Sequence, residues 1–179
     1  MKRIKKEERF YPLVKKALEN QFKPYAILTD FEITHRGRIP DRFLKDRMLR
    51  KQKGLLPTPD IMGLVWRKGQ EDDKKLVIAE VKLNPTFWDI FQAKGYDELF
   101  DSDITYLIGV AKSISKSYPR IFDFVKERPW LLKTKCGKSQ IFIRLLHITH
   151  KGVPTLGILG SEVEMFSLHE VIESMFLVK

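Results

Sequence analysis

Three side chains in this 179-residue chain have types and spacing suited to chemistry: Asp60, Glu80 and Lys82. Residues 78–82 read IAEVK, and strand side chains alternate faces, so Glu80 and Lys82 share one face and Ala79 and Val81 the other. Asp60 is followed by the largely apolar run Ile61–Val65, and Glu80 is preceded by Leu76–Ala79. Charges at the rim of such runs are held in place, whereas charges in a loop are merely solvated. Two close carboxylates repel, which favours a hard divalent cation such as Mg²⁺ bound through oxygen. Such an ion neutralises a phosphodiester and acidifies a bound water. Lys82 beside it would orient that water or stabilise charge developing on the phosphate. The competing reading is an exposed cross-strand ion pair, worth about 0–1 kcal/mol and without functional meaning.

The elements that must position these groups follow from periodicity. Residues 5–22 carry Phe10, Leu13, Val14, Ala17 and Leu18 at helical spacing, with Pro12 in the first turns. Residues 25–35 (YAILTDFEITH) read as a strand. Residues 59–66 and 75–82 are apolar runs joined by the polar turn RKGQEDDK, which predicts an antiparallel hairpin and brings Asp60 to the same edge as Glu80 and Lys82. A helix over 84–100 opens at Pro85; a buried strand follows at 104–111 and another helix at 117–130. Strands at 140–148 and 155–159 and a helix over 168–177 complete a mixed α/β layered domain with no internal repeat.

With the elements in place, Pro59-Asp60, nineteen intervening residues and Glu80-Val81-Lys82 resemble the motif of the PD-(D/E)xK nuclease superfamily. That group includes restriction endonucleases, archaeal Holliday-junction resolvases and recombination exonucleases. The resemblance implies a restriction-endonuclease-like αβββαβ core with a mixed central sheet flanked by helices, and the extra C-terminal strands and helix lie outside it. It implies one nuclease domain over 1–179, with a core over about 5–130 and an elaboration over about 131–179. It implies a DNA nuclease in which Asp60, Glu80 and the Val81 carbonyl ligate Mg²⁺, with Mn²⁺ as a substitute, and Lys82 serves catalysis. An acid from the first helix is a further ligand in many members; Glu8 or Glu7 stands there, and Glu8 is taken as nearer the core stripe. Some recombination-type members carry Gln-x-x-x-Tyr on the next helix, matched here by Gln92 and Tyr96. Read from spacing alone, those two share a helix face and fit a plain surface and a packed aromatic equally well. The match covers the architecture of about residues 5–110 but only about six residues by identity.

Charge supports a polyanionic partner: Lys plus Arg number 33 against 23 for Asp plus Glu, a net +10, with a pI near 9.6. Residues 36–53 hold Arg36, Arg38, Arg42, Lys45, Arg47, Arg50, Lys51 and Lys53 against Asp41 and Asp46. They read as a turn followed by a short basic helix, either a DNA-contacting arm that meets backbone phosphates or a solvated face. Pro40-Asp41 lies in this segment rather than at a strand start, and is turn chemistry or a capping residue.

The remaining features exclude classes. Cys136 is alone, so an intramolecular disulfide and a cysteine-based zinc site are impossible. His35, His147, His150 and His169 show no metal-ligand spacing, and ILGSE (158–162) is no nucleophile elbow. A phosphate-cradling glycine loop is absent, so no nucleotide cofactor is expected. No run reaches the roughly 18 apolar residues of a membrane span, and the basic N-terminus lacks an apolar region behind it, so a cytoplasmic, intracellular protein is expected. The expectation is an endonuclease of restriction or junction-resolving type, with a recombination-type exonuclease or an inactive nuclease-fold DNA-binding protein as alternatives. A homodimer would bring two sites to two strands.

Overall fold

The computed structural model describes residues 7–37, 39–52, 54–110, 117–134, 140–158 and 167–176. Six strands form one sheet in sequence order: β1 (Ile27–Ile33), β2 (Ile61–Arg67), β3 (Lys75–Lys82), β4 (Ile104–Gly109), β5 (Ile141–Ile148) and β6 (Pro154–Ile158). The β1–β2, β2–β3 and β5–β6 pairs are antiparallel; β3–β4 and β4–β5 are parallel. The helices among the described residues are α1 (Tyr11–Phe22), α2 (Arg47–Gln52), α3 (Phe87–Phe100), α4 (Ser117–Glu127) and α5 (Leu168–Phe176). The two parallel pairs need long crossovers, and α3 and α4 supply them. The class is therefore mixed α/β, and the expected hairpin is the β2–β3 pair, its turn eased by Gly69 at φ 84°.

Alternation along β3 assigns its two faces. Val77, Ala79 and Val81 pack with Tyr11, Val14 and Leu18 of α1 and with Val171 and Ile172 of α5. Leu76 and Ile78 point the other way, to Tyr96 and Phe100 of α3. Glu80 and Lys82 continue that second face, so the alternation that buries the core also aims them at α3. Strand β1 is shorter than its apolar pattern, because Ala26 takes a left-handed turn (φ 54°) after the 3-10 turn Lys23–Tyr25.

α1 packs against β1 and β6, the two outermost strands, and Asn20 Nδ2 donates to the Pro154 carbonyl at 3.0 Å. The sheet accordingly curls round α1. A capping box opens α3, with the Asp89 carboxylate accepting from the Thr86 N–H at 2.6 Å and from its hydroxyl at 2.9 Å. Between β1 and β2, Ile39, Phe43 and Leu44 are buried against Met62, Leu64 and Ile78. The basic segment is thus anchored by its apolar residues, and it forms the 3-10 turn Asp41–Phe43 and then the short helix α2.

Among the described residues, no helix is long and apolar enough to cross a membrane. Lys5 and Lys6 of the predicted first helix, Arg38, Lys53, Cys136 and most of the ILGSE stretch lie outside the described residues.

Candidate active site

The hairpin register brings the three motif residues to one end of the sheet. Asp60 directly precedes β2, and Ile61 pairs with Ala79, so the Asp60 carboxylate lies beside the backbone of residues 80–82. No β2 residue pairs with Val81; its N–H instead donates to Asp60 Oδ2 at 2.8 Å. The N–H and C=O of one strand residue point to the same edge, so the Val81 carbonyl faces the Asp60 side as well. Asp60 Oδ1 accepts from the Tyr11 hydroxyl and from His35 Nδ1, each at 2.7 Å. The Thr34 and His35 N–H groups both donate to the Asp60 carbonyl, at 3.0 and 3.2 Å. Thr34 Oγ1 reaches the Pro59 carbonyl at 2.6 Å, so the end of β1 is laced to the Pro-Asp dipeptide.

Glu80 is buried at the centre of a second network. Its Oε1 accepts from Lys82 Nζ at 2.7 Å and from Gln92 Nε2 at 2.8 Å. Gln92 Nε2 also approaches the Tyr96 hydroxyl at 3.1 Å, and Tyr96 donates to the Thr58 carbonyl at 3.3 Å. The four-residue spacing stacks Gln92 above Tyr96 on the α3 face that looks at β3. Glu80 Oε2 is buried and has no hydrogen-bond partner among the described residues. A buried acceptor left unpaired costs roughly 1–3 kcal/mol, so a cation or donor at this atom would be favoured.

Electrostatics follow from that burial. Desolvation, with the Asp60 charge adding to it, pushes the Glu80 carboxyl up to about 7, against the lowering pull of Lys82 and of the Asp60 backbone N–H. Burial opposes the Lys82 charge, but the bond to Glu80 and the fields of Glu80, Asp60 and Asp89 outweigh it and raise the ammonium pKa. Lys82 Nζ is 3.9 Å from Asp89 Oδ1, so the α3 cap also faces the site. Tyr11 is raised by desolvation first and then by its bond to Asp60. Tyr96 is raised by desolvation and the Glu80 charge.

The first-helix acids occupy the rim. Glu8 lies in a 3-10 turn (Glu8–Phe10) before α1, with Oε1 3.2 Å from His35 Nε2 and 3.0 Å from Arg36 Nη2. Neither contact is aligned as a hydrogen bond. His35 therefore stands between Glu8 and Asp60. Arg36 holds a left-handed backbone (φ 56°), a conformation costly for a side chain with a Cβ and frequent at functional sites. Glu7 reaches the other flank, where its Oε1 accepts from the Leu83 N–H at 3.3 Å.

Of the residues expected from sequence, Asp60 and Val81 fall in the first network and Glu80, Lys82, Gln92 and Tyr96 in the second, and the two adjoin at the end of β3. Glu8 stands outside both networks, in ion-pair range of His35 and Arg36. Among the described residues, no three His, Cys, Asp or Glu side chains close into a ready metal cage. The basic residues spread out: Arg36 pairs with Glu8, and Arg42 spans Asp30 at 3.0 Å and Glu32 on β1. Lys45 pairs with Asp103 at 3.1 Å, and Arg50 donates to the Leu44 carbonyl at 2.9 Å. Arg47 and Lys51 stand exposed on α2.

Tyr11 and His35 were not anticipated. The available signals were a tyrosine on the apolar stripe of the first helix, whose hydroxyl needs a partner, and a histidine just past the β1 end that pairs with β2. Comparison of the chain with protein-family models, curated proteins and solved structures finds no match.

Proposed function

We propose that the chain is a Mg²⁺-dependent DNA nuclease that hydrolyses phosphodiester bonds, of restriction or junction-resolving endonuclease type. The observation that carries this reading is the buried Glu80 carboxylate: one oxygen is held by Lys82 and Gln92, the other has no partner among the described residues, and the Asp60 charge acts on it. The donor set is all oxygen, which suits a hard divalent cation. Asp60, Glu80 and the Val81 carbonyl would hold it, with Glu8 reaching in once it turns from His35. When bound, Mg²⁺ supplies charge neutralisation on the phosphate and a more acidic water.

The chain's own residues do the rest. Tyr11, His35 and the Val81 N–H fix the Asp60 carboxylate in one orientation. Gln92 fixes Glu80, and Lys82 places a positive charge where the attacking water and the pentacovalent phosphate would meet. The attack would be in line with the departing oxygen. Arg47 and Lys51 on α2, within a chain of net charge +10, would meet flanking phosphates.

The direct test is to incubate the protein with linear, circular and four-way-junction DNA in Mg²⁺ or Mn²⁺. Glu80→Gln and Lys82→Ala, checked for folding by circular dichroism, should each lose at least about 100-fold in rate, the scale of removing one transition-state donor. Folded variants that cut as well as the parent would sink the proposal. A second reading, an end-processing exonuclease, is favoured by the Gln92–Glu80 hydrogen bond, since Gln-x-x-x-Tyr is the feature shared with recombination-type members. Internal cutting of circular DNA decides against it. Binding without cleavage under either metal would leave a DNA-binding module. Sedimentation of the active form tests the homodimer.

A further inference from the structure

The helix stripe that carries Gln92 and Tyr96 into the site does not stop there. One turn earlier on the same stripe is Trp88, about 6 Å along the helix axis from Gln92, and its side chain lies open to solvent at 68% exposure. Phe87 and Phe91 beside it are also exposed, at 38% and 42%. The three rings form a continuous surface: Phe87 and Trp88 centroids are 4.6 Å apart, and Trp88 and Phe91 5.9 Å. Phe124 of α4 extends it, 5.3 Å from Phe87, and the Arg128 guanidinium lies 5.0 Å over Phe124.

Exposed aromatic clusters are costly to keep and mark contact surfaces. This one begins at the α3 start, where Asp89 faces Lys82 and the preceding Thr86 caps the helix. Its cationic border, Lys82 on one side and Arg128 on the other, suits a partner that is flat, apolar and attached to negative charge. Arg128 pairs with the adjacent exposed Glu127 at 2.8 Å, a contact of little worth that a phosphate would readily replace. A nucleobase on a phosphodiester strand has those properties, and only an unpaired base offers its ring face to a side chain.

We propose that Trp88, flanked by Phe87 and Phe91, stacks an unpaired base next to the phosphodiester held at Glu80 and Lys82, so that the preferred substrate carries a single-stranded end, overhang or flap. This rests on the nuclease reading above and adds the substrate class. The sequence alone offered no stacking module, because Phe87 and Phe91 read as the apolar rhythm of a core helix.

The test is fluorescence anisotropy in EDTA, where hydrolysis does not compete, with a labelled single strand, a duplex bearing a single-stranded overhang and a blunt duplex. The parent should bind the first two more tightly than the third. Trp88→Ala should weaken the first two about ten-fold and the blunt duplex less than about two-fold, and Trp88→Phe should keep most of the affinity. Trp88 is exposed, so both variants should keep the parent's unfolding midpoint. Equal losses on all three probes, or no loss on any, would overturn the stacking role. Unchanged DNA binding with a shift in sedimentation velocity would overturn it in favour of a contact between copies of the chain. A Trp88→Ala protein that binds and cuts every probe like the parent defeats this inference alone, whereas a parent that binds no DNA defeats it and the nuclease reading together.

Discussion

Glu80 is the residue whose ionisation the fold works hardest against. Burial and Asp60 raise its pKa from 4.5 to about 7 in the folded chain. A carboxyl whose folded pKa is raised binds its proton more tightly when folded, so its contribution to stability is full below about pH 4.5 and is lost as pH rises through 7. Without added metal, the parent should lose on the order of 3 kcal/mol relative to Glu80→Gln between pH 4.5 and 8. Urea unfolding of both proteins across that range measures it, and parallel pH profiles would refute it. Mg²⁺ at pH 8 should restore part of the loss, because binding to the folded state alone raises stability. Tyr11→Phe removes a buried hydrogen bond to a carboxylate. It should cost about 2 kcal/mol in denaturant unfolding and raise the Mg²⁺ concentration needed for half-maximal cleavage. Asp60, Glu80 and Lys82 were legible because alternation and a hairpin are local patterns. Tyr11 and His35 were not, since they lie 49 and 25 residues from Asp60 and are joined to it only through tertiary packing.

Elements fix where those residues stand, and two of their joints are open to test. Phe31 pairs with Gly63 across β1 and β2, and a Cβ built on Gly63 would lie 2.1 Å from the Phe31 ring. Gly63→Ala should therefore destabilise by about 2 kcal/mol and lower the melting temperature by about 6 °C. Gly63→Ala combined with Phe31→Leu should recover part of this, since the obstacle is a side chain and not backbone. Thr86→Ala breaks the capping box and should cost about 1 kcal/mol. It also frees Asp89 to swing towards Lys82, so a fall in cleavage rate beyond the fall in stability is expected. Strands and helices were read closely from sequence because periods of two and 3.6 residues are strong where one face is buried. In the 36–53 stretch the turn and the short basic helix were read, but not what anchors them. Its charges dominated the pattern, while Ile39, Phe43 and Leu44, which tie it to the sheet, are too widely spaced to show a period.

For the whole molecule, charge and topology set the terms. With a net charge of +10, DNA affinity should fall steeply with salt. Arg47→Ala and Lys51→Ala should each reduce the slope of log affinity against log salt by about one, alike on every sequence. A variant that changes sequence preference instead would point to base reading. The curl of the sheet has a different consequence, in the order of assembly. Glu8 and Tyr11 enter the cluster from the N-terminal side of α1, while Asn20 near its other end bonds Pro154 of β6. The candidate site is thus completed by a helix held through contacts spanning 49 and 134 residues, and non-local contacts form late because loop closure must be overcome first. Docking of α1 on β1, β3 and β6 is what brings the Tyr11 hydroxyl to Asp60. On the nuclease reading proposed above, phosphodiester cleavage would then require α1 to be docked, and incompletely folded copies of the chain would not cut.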